Sequence, residues 1–76
     1  ELAGQKEEAE KILIDALAKD PHNENLQNAL AYFWAEQNKN LEEALELSLK
    51  SLEAAPEVGA FLDTLGWIYF RLGRFQ

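Results

Sequence analysis

The 76-residue sequence predicts an all-α fold made of antiparallel helix pairs. Apolar residues recur at helical spacing in four windows, which is the main signal for amphipathic helices. Leu and Ala supply 24 of the 76 positions, and both residues favour helix. Strand formers are few and scattered, and Val58 is the only valine. The length allows one small domain, and the 47% hydrophobic content is that of a globular chain.

The four predicted helices follow one another with short connections. They cover residues 5–19, 24–37, 41–54 and 58–72. Pro21 and Pro56 end the first and third helices, because the residue before a proline is disfavoured in the α region. Connections of about three to six residues make neighbouring helices antiparallel.

Two helix ends carry specific signals. Asn40 followed by Glu43 predicts a capping box at the start of the third helix, in which each side chain satisfies a free backbone N–H group. Gly73 follows the fourth helix and suits the left-handed position that ends many helices.

The sequence repeats itself with a period of about 35 residues. Pro21 and Pro56 are 35 positions apart, and residues 7–21 align with residues 42–56 without a gap. A period of this length indicates stacked helical pairs, each with an apolar face too broad to bury alone. Small residues at equivalent places would let the helices approach closely, and they are Ala9, Ala16, Ala31, Ala44 and Gly66.

The repeat carries a recurrent motif. The copies read Leu62-x-x-Leu65-Gly66-x-x-Tyr69, then Ala9-x-x-x-Leu13-x-x-Ala16 with Pro21, and Leu30-Ala31-x-x-Trp34 with Ala44, Ser51 and Pro56. In these motifs the whole chain resembles the tetratricopeptide repeat (TPR) family. The resemblance implies a right-handed superhelical stack with helices in the order B-A-B-A. It assigns residues 1–22 to the second helix of a partial repeat, 23–57 to a complete repeat and 58–76 to the first helix of a truncated repeat.

Composition excludes several kinds of function. A net charge of −7 repels phosphate backbones, so we expect no nucleic-acid partner. No apolar run reaches the length of a membrane-spanning helix, so we expect no membrane insertion. With no cysteine, a lone His22 and acidic clusters in first helical turns, we expect no enzyme, cofactor or metal site.

The resemblance implies a protein or peptide ligand, bound on the concave face that the first helix of each repeat lines. The residues in that register are Asn25, Asn28, Ala29, Tyr32, Glu36, Ala60, Asp63, Thr64, Trp67, Phe70 and Arg71. Tyr32, Trp67 and Phe70 offer rigid contact area, and Arg71 suits a carboxylate. The alternative for such aromatic residues is packing in the core. A carboxylate clamp of the chaperone-binding type is not indicated, since its Lys and Asn positions hold other residues.

A second hypothesis is self-association through the last helix, as a homodimer or against the rest of a longer chain. That helix carries an apolar stripe for which the sequence supplies no covering helix. The stripe consists of Leu62, Leu65, Ile68, Tyr69, Leu72 and Phe75. The amino-acid sequence of this predicted helix also resembles that of helices in bacterial repeat proteins, including secreted and lipid-anchored ones. The compartment stays open between the cytoplasm and the periplasm or outer membrane.

Overall fold

The computed structural model describes residues 2–73, and side chains from residue 4 onward, as four α-helices joined by short loops. The helices are α1 (Leu2–Lys19), α2 (Glu24–Glu36), α3 (Leu41–Ala54) and α4 (Gly59–Leu72). No strand occurs within this described range. The all-α prediction is therefore confirmed, and each predicted helix lies within three residues of its observed bounds.

Local side-chain and backbone chemistry defines the start of α2 and the end of α4. Asn23 is extended and its side-chain oxygen accepts a hydrogen bond of 3.1 Å from the backbone N–H of Leu26, which caps α2. Gly73 ends α4 with φ 76° and ψ 20°, so the predicted left-handed terminus is confirmed. A glycine suits this conformation because it has no Cβ to collide with the backbone.

The capping box predicted at Asn40 and Glu43 is wrong. Asn40 has left-handed backbone angles, φ 49° and ψ 45°, and its side chain makes no capping hydrogen bond. A capping residue is normally extended, which points its side chain at the free N–H groups of the first turn. Asn38 is also left-handed, at φ 55°, because the chain reverses sharply between α2 and α3. The Asn40 carbonyl still accepts the first hydrogen bond of α3, from Ala44 at 2.8 Å.

Helix α2 lies at the centre of the packing. It contacts α1, α3 and α4, and α3 also contacts α4. Within the described range, α1 does not approach α3 or α4 closely. Consecutive helices that pack across short loops run antiparallel. The buried core consists of Leu30, Ala31, Trp34, Ala35, Ala44 and Ile68.

The small residues behave differently in the two halves of the chain. Ala31 and Ala44 are fully buried, and both belong to the core formed where α2 and α3 meet. Gly66 was expected to sit at a similar close approach, and that expectation is wrong. It is exposed, and a Cβ built on it would meet nothing within 4 Å. The right-handed superhelical twist stays a prediction. In the part of the chain described, no helix is long and apolar enough to cross a bilayer.

Candidate functional site

The last turns of α4 carry a compact aromatic cluster. The rings of Trp67 and Phe70 are stacked, with centroids 5.4 Å apart and planes 10° from parallel. The Arg71 guanidinium lies 4.9 Å from the centre of the Trp67 ring, within the range of a cation–π contact. Trp67 is half-buried, whereas Phe70 is 56% exposed. These contacts fix three side chains in one orientation and leave much of their area at the surface.

A second aromatic residue stands at the equivalent position on α2. Tyr32 is 47% exposed and lies 35 positions before Trp67. A hydrogen bond to Glu36, aided by the charge of that carboxylate, raises the pKa of Tyr32. Arg71 donates a hydrogen bond of 3.3 Å to the Glu36 carbonyl, which ties the ends of α2 and α4 together. We refer to Tyr32, Trp67, Phe70 and Arg71 as the α2–α4 surface.

The other predicted groove residues are placed unevenly. Asn25 and Asp63 are exposed, and Asn28 is half-buried. Thr64 is only 5% exposed and its hydroxyl donates to the Ala60 carbonyl at 3.1 Å, so it does not belong to the surface as expected. This bond to the preceding turn of its own helix removes the hydroxyl from any ligand.

Two polar atoms in this region are buried without a hydrogen-bond partner among the residues described. They are Nε1 of Trp67 and Oδ1 of Asn28. A buried polar atom that lacks a partner costs free energy, and such atoms are rare in folded proteins.

The stripe predicted for self-association is only partly at the surface. Leu62 is 60% exposed, and Leu65 and Tyr69 are half-buried. Ile68 is fully buried, because α4 directs it into the core beside α2, and Leu72 packs against the same core. Ile68 and Leu72 therefore pack toward the core and do not form part of an exposed stripe. Phe75 lies outside the described residues.

One polar contact was not predicted. The Glu10 carboxylate accepts hydrogen bonds of 2.8 Å from the Trp34 indole N–H and from the Lys39 ammonium. The bond from Lys39, and then that from Trp34, lower the pKa of Glu10. The 35-residue repeat gave no signal for this contact, because the positions equivalent to Glu10 and Trp34 hold Leu45 and Tyr69. It fastens α1 to α2 at a point where Trp34 is 8% exposed and the Glu10 side chain is 16% exposed.

An apolar cleft of about 600 Å³ separates α1 from α3 above α2. Its lining consists of Ile14, Leu17, Ala18, Pro21, Leu30, Trp34, Glu43, Glu46, Leu47 and Lys50. No signal in the sequence predicted this gap. Helices α1 and α3 do not contact each other within the described range, so the distance between them is set by α2, on which both pack. Among the described residues, no group of three His, Cys, Asp or Glu side chains is placed to hold a metal ion.

Comparison with known proteins supports the repeat motif. A TPR repeat-containing protein of Pseudomonas aeruginosa is 40% identical over 65 residues, which is 86% of this chain and 11% of that protein. The chain therefore spans only a small part of the length of this curated relative. No protein-family model matches the chain, and no solved structure matches it. Given this identity along most of the sequence and four helices that carry the motif, the chain belongs to the tetratricopeptide repeat family.

Proposed function

We propose that the α2–α4 surface binds an extended peptide or protein segment. Family membership supports the general function, which is that of a scaffold for protein–protein interaction. The proposal adds the surface and its chemistry, and it assigns the chain to binding rather than catalysis. It also takes residues 23–57 as the complete repeat, flanked by helices of two others.

The observation that carries the proposal is the stack of Phe70, Trp67 and Arg71. Rigid aromatic side chains give large contact area at little cost in conformational entropy, and Trp, Tyr and Arg dominate the binding energy of many interfaces. Here the ring stack and the cation–π contact hold the side chains in place before any ligand arrives. Tyr32 extends the same chemistry onto the neighbouring helix, 47% exposed.

The charges of the surface favour one class of segment. Arg71 uses one N–H group on the Glu36 carbonyl, and a guanidinium has five. The remaining donors suit a carboxylate of the ligand. We therefore expect a peptide with an apolar or aromatic residue over Trp67 and an acidic residue beside Arg71.

The test uses peptides selected from a random display library against the wild-type chain, with affinities then measured by calorimetry. Trp67→Ala should weaken binding by about tenfold or more, which is typical for truncation of a central aromatic residue. Leu62→Ala is the matched control, since Leu62 lies on the same helix but outside this surface and is 60% exposed. A Trp67→Ala variant that binds the peptides normally, with a lowered melting temperature, would assign Trp67 to stability instead.

A second candidate function is self-association, in which a helix of another copy of the chain packs on α4. One specific observation favours it: Leu62 is 60% exposed beside half-buried Leu65 and Tyr69 and exposed Gly66. We call these four residues the α4 outer face. Contiguous exposed apolar side chains commonly mark an interaction site. Sedimentation of the wild-type chain at micromolar concentration tests this candidate, and a monomer at every concentration would contradict it.

A further inference from the structure

The 35-residue repeat indicates which kind of helix could pack on the α4 outer face. Each of its residues has a counterpart on α2, and the pairs are Gln27 and Leu62, Leu30 and Leu65, Ala31 and Gly66, and Trp34 and Tyr69. All four α2 members are buried. None of the four α4 members is buried. Leu30, Ala31 and Trp34 share the core with Ala44 of α3, although Trp34 also bonds to Glu10 of α1 and the Gln27 amide to the Pro21 carbonyl. The equivalent face on α4 therefore suits a helix that packs as α3 does.

Helix α1 is the sequence counterpart of α3, since residues 7–21 align with residues 42–56 without a gap. The residues through which α3 packs on α2 have their own equivalents on α1, and the pairs are Ala9 and Ala44, Ile12 and Leu47, and Ala16 and Ser51. Ala44 and Ser51 are fully buried. By contrast, Ile12 is 60% exposed, and Ala9 and Ala16 are only half-buried.

The exposed side of α1 is not the side that holds it to α2. Glu10 bonds to the α2 side chain Trp34, and Leu13 and Leu17 pack against the core. Successive residues advance about 100° around a helix, which places the row of Ala9, Ile12 and Ala16 roughly 100° away from those three side chains. Helix α1 can therefore stay on α2 and still present this row to another helix.

We propose that α1 of a second copy of this chain packs on the α4 outer face, so that copies stack head to tail. The inference rests on the second candidate function, and it names the occupant. In this arrangement the small residue Ala9 of one copy meets Gly66 of the next, as Ala44 and Ala31 share the core within one chain. Ile12 covers the apolar side chains Leu62 and Leu65. The contact joins two different surfaces, so it does not close after two copies.

Two substitutions test the two sides of the contact. Gly66→Leu adds bulk where a Cβ meets nothing within 4 Å in the single chain, so it should block docking without disturbing the fold. Ile12→Lys places a charge at the centre of the row on α1. Ile14→Lys is the matched control, because Ile14 is also exposed on α1 but lines the cleft toward α3 with Glu43 and Glu46.

The measurement is sedimentation velocity from micromolar to millimolar concentration. The wild type and Ile14→Lys should show a mean mass that rises with concentration beyond that of a dimer. Gly66→Leu and Ile12→Lys should each associate about tenfold or more weakly, because the first adds bulk where the other helix must approach and the second replaces an apolar contact with a charge. Circular dichroism confirms that both variants remain helical.

Mixing the two variants separates the head-to-tail contact from a symmetric one. Gly66→Leu retains the row on α1 and Ile12→Lys retains the α4 outer face, so their mixture should form a dimer and nothing larger. If Ile12→Lys associates like the wild type while Gly66→Leu does not, the α4 face takes a different occupant, such as α4 of a second copy, and the inference is overturned. A wild type that stays monomeric throughout overturns both the inference and the candidate function beneath it.

Discussion

Helices α2 and α4 occupy equivalent positions in the repeat, yet α2 lies at the centre of the fold and α4 has one side exposed to solvent. Among the residues that the structure describes, helix α2 packs against α1, α3 and α4, whereas α4 packs against α2 and α3. The counterparts Ala35 and Phe70 are 0% and 56% exposed, respectively. The difference shows that the repeat pattern specifies which face of a helix is ready to pack. Whether that face becomes core depends on a neighbour being there.

The additional neighbour of α2 has an energetic consequence. In stacked repeats, stability is approximately the sum of each unit and its contacts with nearest neighbours. Equivalent residues on α2 and α4 should therefore contribute unequally, in proportion to their burial. Identical substitutions at equivalent positions measure that inequality directly.

The largest effect is expected at Leu30 and its counterpart Leu65. Leu30 is 2% exposed in the core, so Leu30→Ala should lower the free energy of unfolding by about 2–4 kcal/mol. Leu65 is half-buried, and Leu65→Ala should cost about 1 kcal/mol. Urea unfolding at low protein concentration measures both. Equal losses would mean that α4 is as well covered as α2.

Substitution by leucine should change stability in opposite directions at Ala31 and at its counterpart Gly66, and this is the second-largest expected effect. Ala31 is fully buried, so Ala31→Leu overpacks the core and should destabilise the chain by about 1–3 kcal/mol. Gly66 has open space around it, so Gly66→Leu should stabilise α4 by roughly 0.5–1 kcal/mol through its higher helix propensity. Thermal unfolding of the dilute variants measures both shifts. A loss of stability in Gly66→Leu would indicate that α4 is already covered on this side.

Much of the fold could be predicted from the sequence because its signals are local and periodic. The prolines at 21 and 56, the spacing of apolar residues and Gly73 located the helices to within three residues. The absence of a side-chain cap at Asn40 could not be predicted. Its left-handed backbone is set by the reversal between α2 and α3, which no single residue type specifies.

The candidate site was less predictable. The repeat register predicted that Trp67, Phe70 and Arg71 share one surface. In the structure the rings of Trp67 and Phe70 stack and Arg71 contacts the Trp67 ring. The same register placed Thr64 at the surface, although its hydroxyl bonds within its own helix. It also counted Ile68 in the exposed stripe, although that side chain is fully buried. The spacing of residues along a helix gives only the approximate direction of each side chain. The way in which α4 packs against α2 then decides which of the side chains near that boundary are buried.

The smallest expected effect concerns the contact that fastens α1 to α2 and has no equivalent on α4. Glu10→Gln keeps an acceptor for the Trp34 N–H but removes the charge that pairs with Lys39. The Lys39 side chain is 51% exposed, so at neutral pH the loss should be about 0.5–1 kcal/mol and should shrink in high salt. Glu8→Gln, an exposed neighbour on α1, is the control and should change little.

The pH dependence gives the sharper result. The pKa of Glu10 is lowered from its ordinary value of 4.5 in the folded chain, so the unfolded chain takes up a proton first as the pH falls. The contribution of this carboxylate is therefore complete above about pH 4.5 and is lost as the pH falls through the lower folded-state pKa. The stability gap between the wild type and Glu10→Gln should be open at pH 7 and close in acid, as followed by urea unfolding at each pH. A gap that stays constant would mean that the charge of Glu10 contributes nothing, and that the Trp34 hydrogen bond and the packing of Leu13 and Leu17 hold α1 to the centre of the fold.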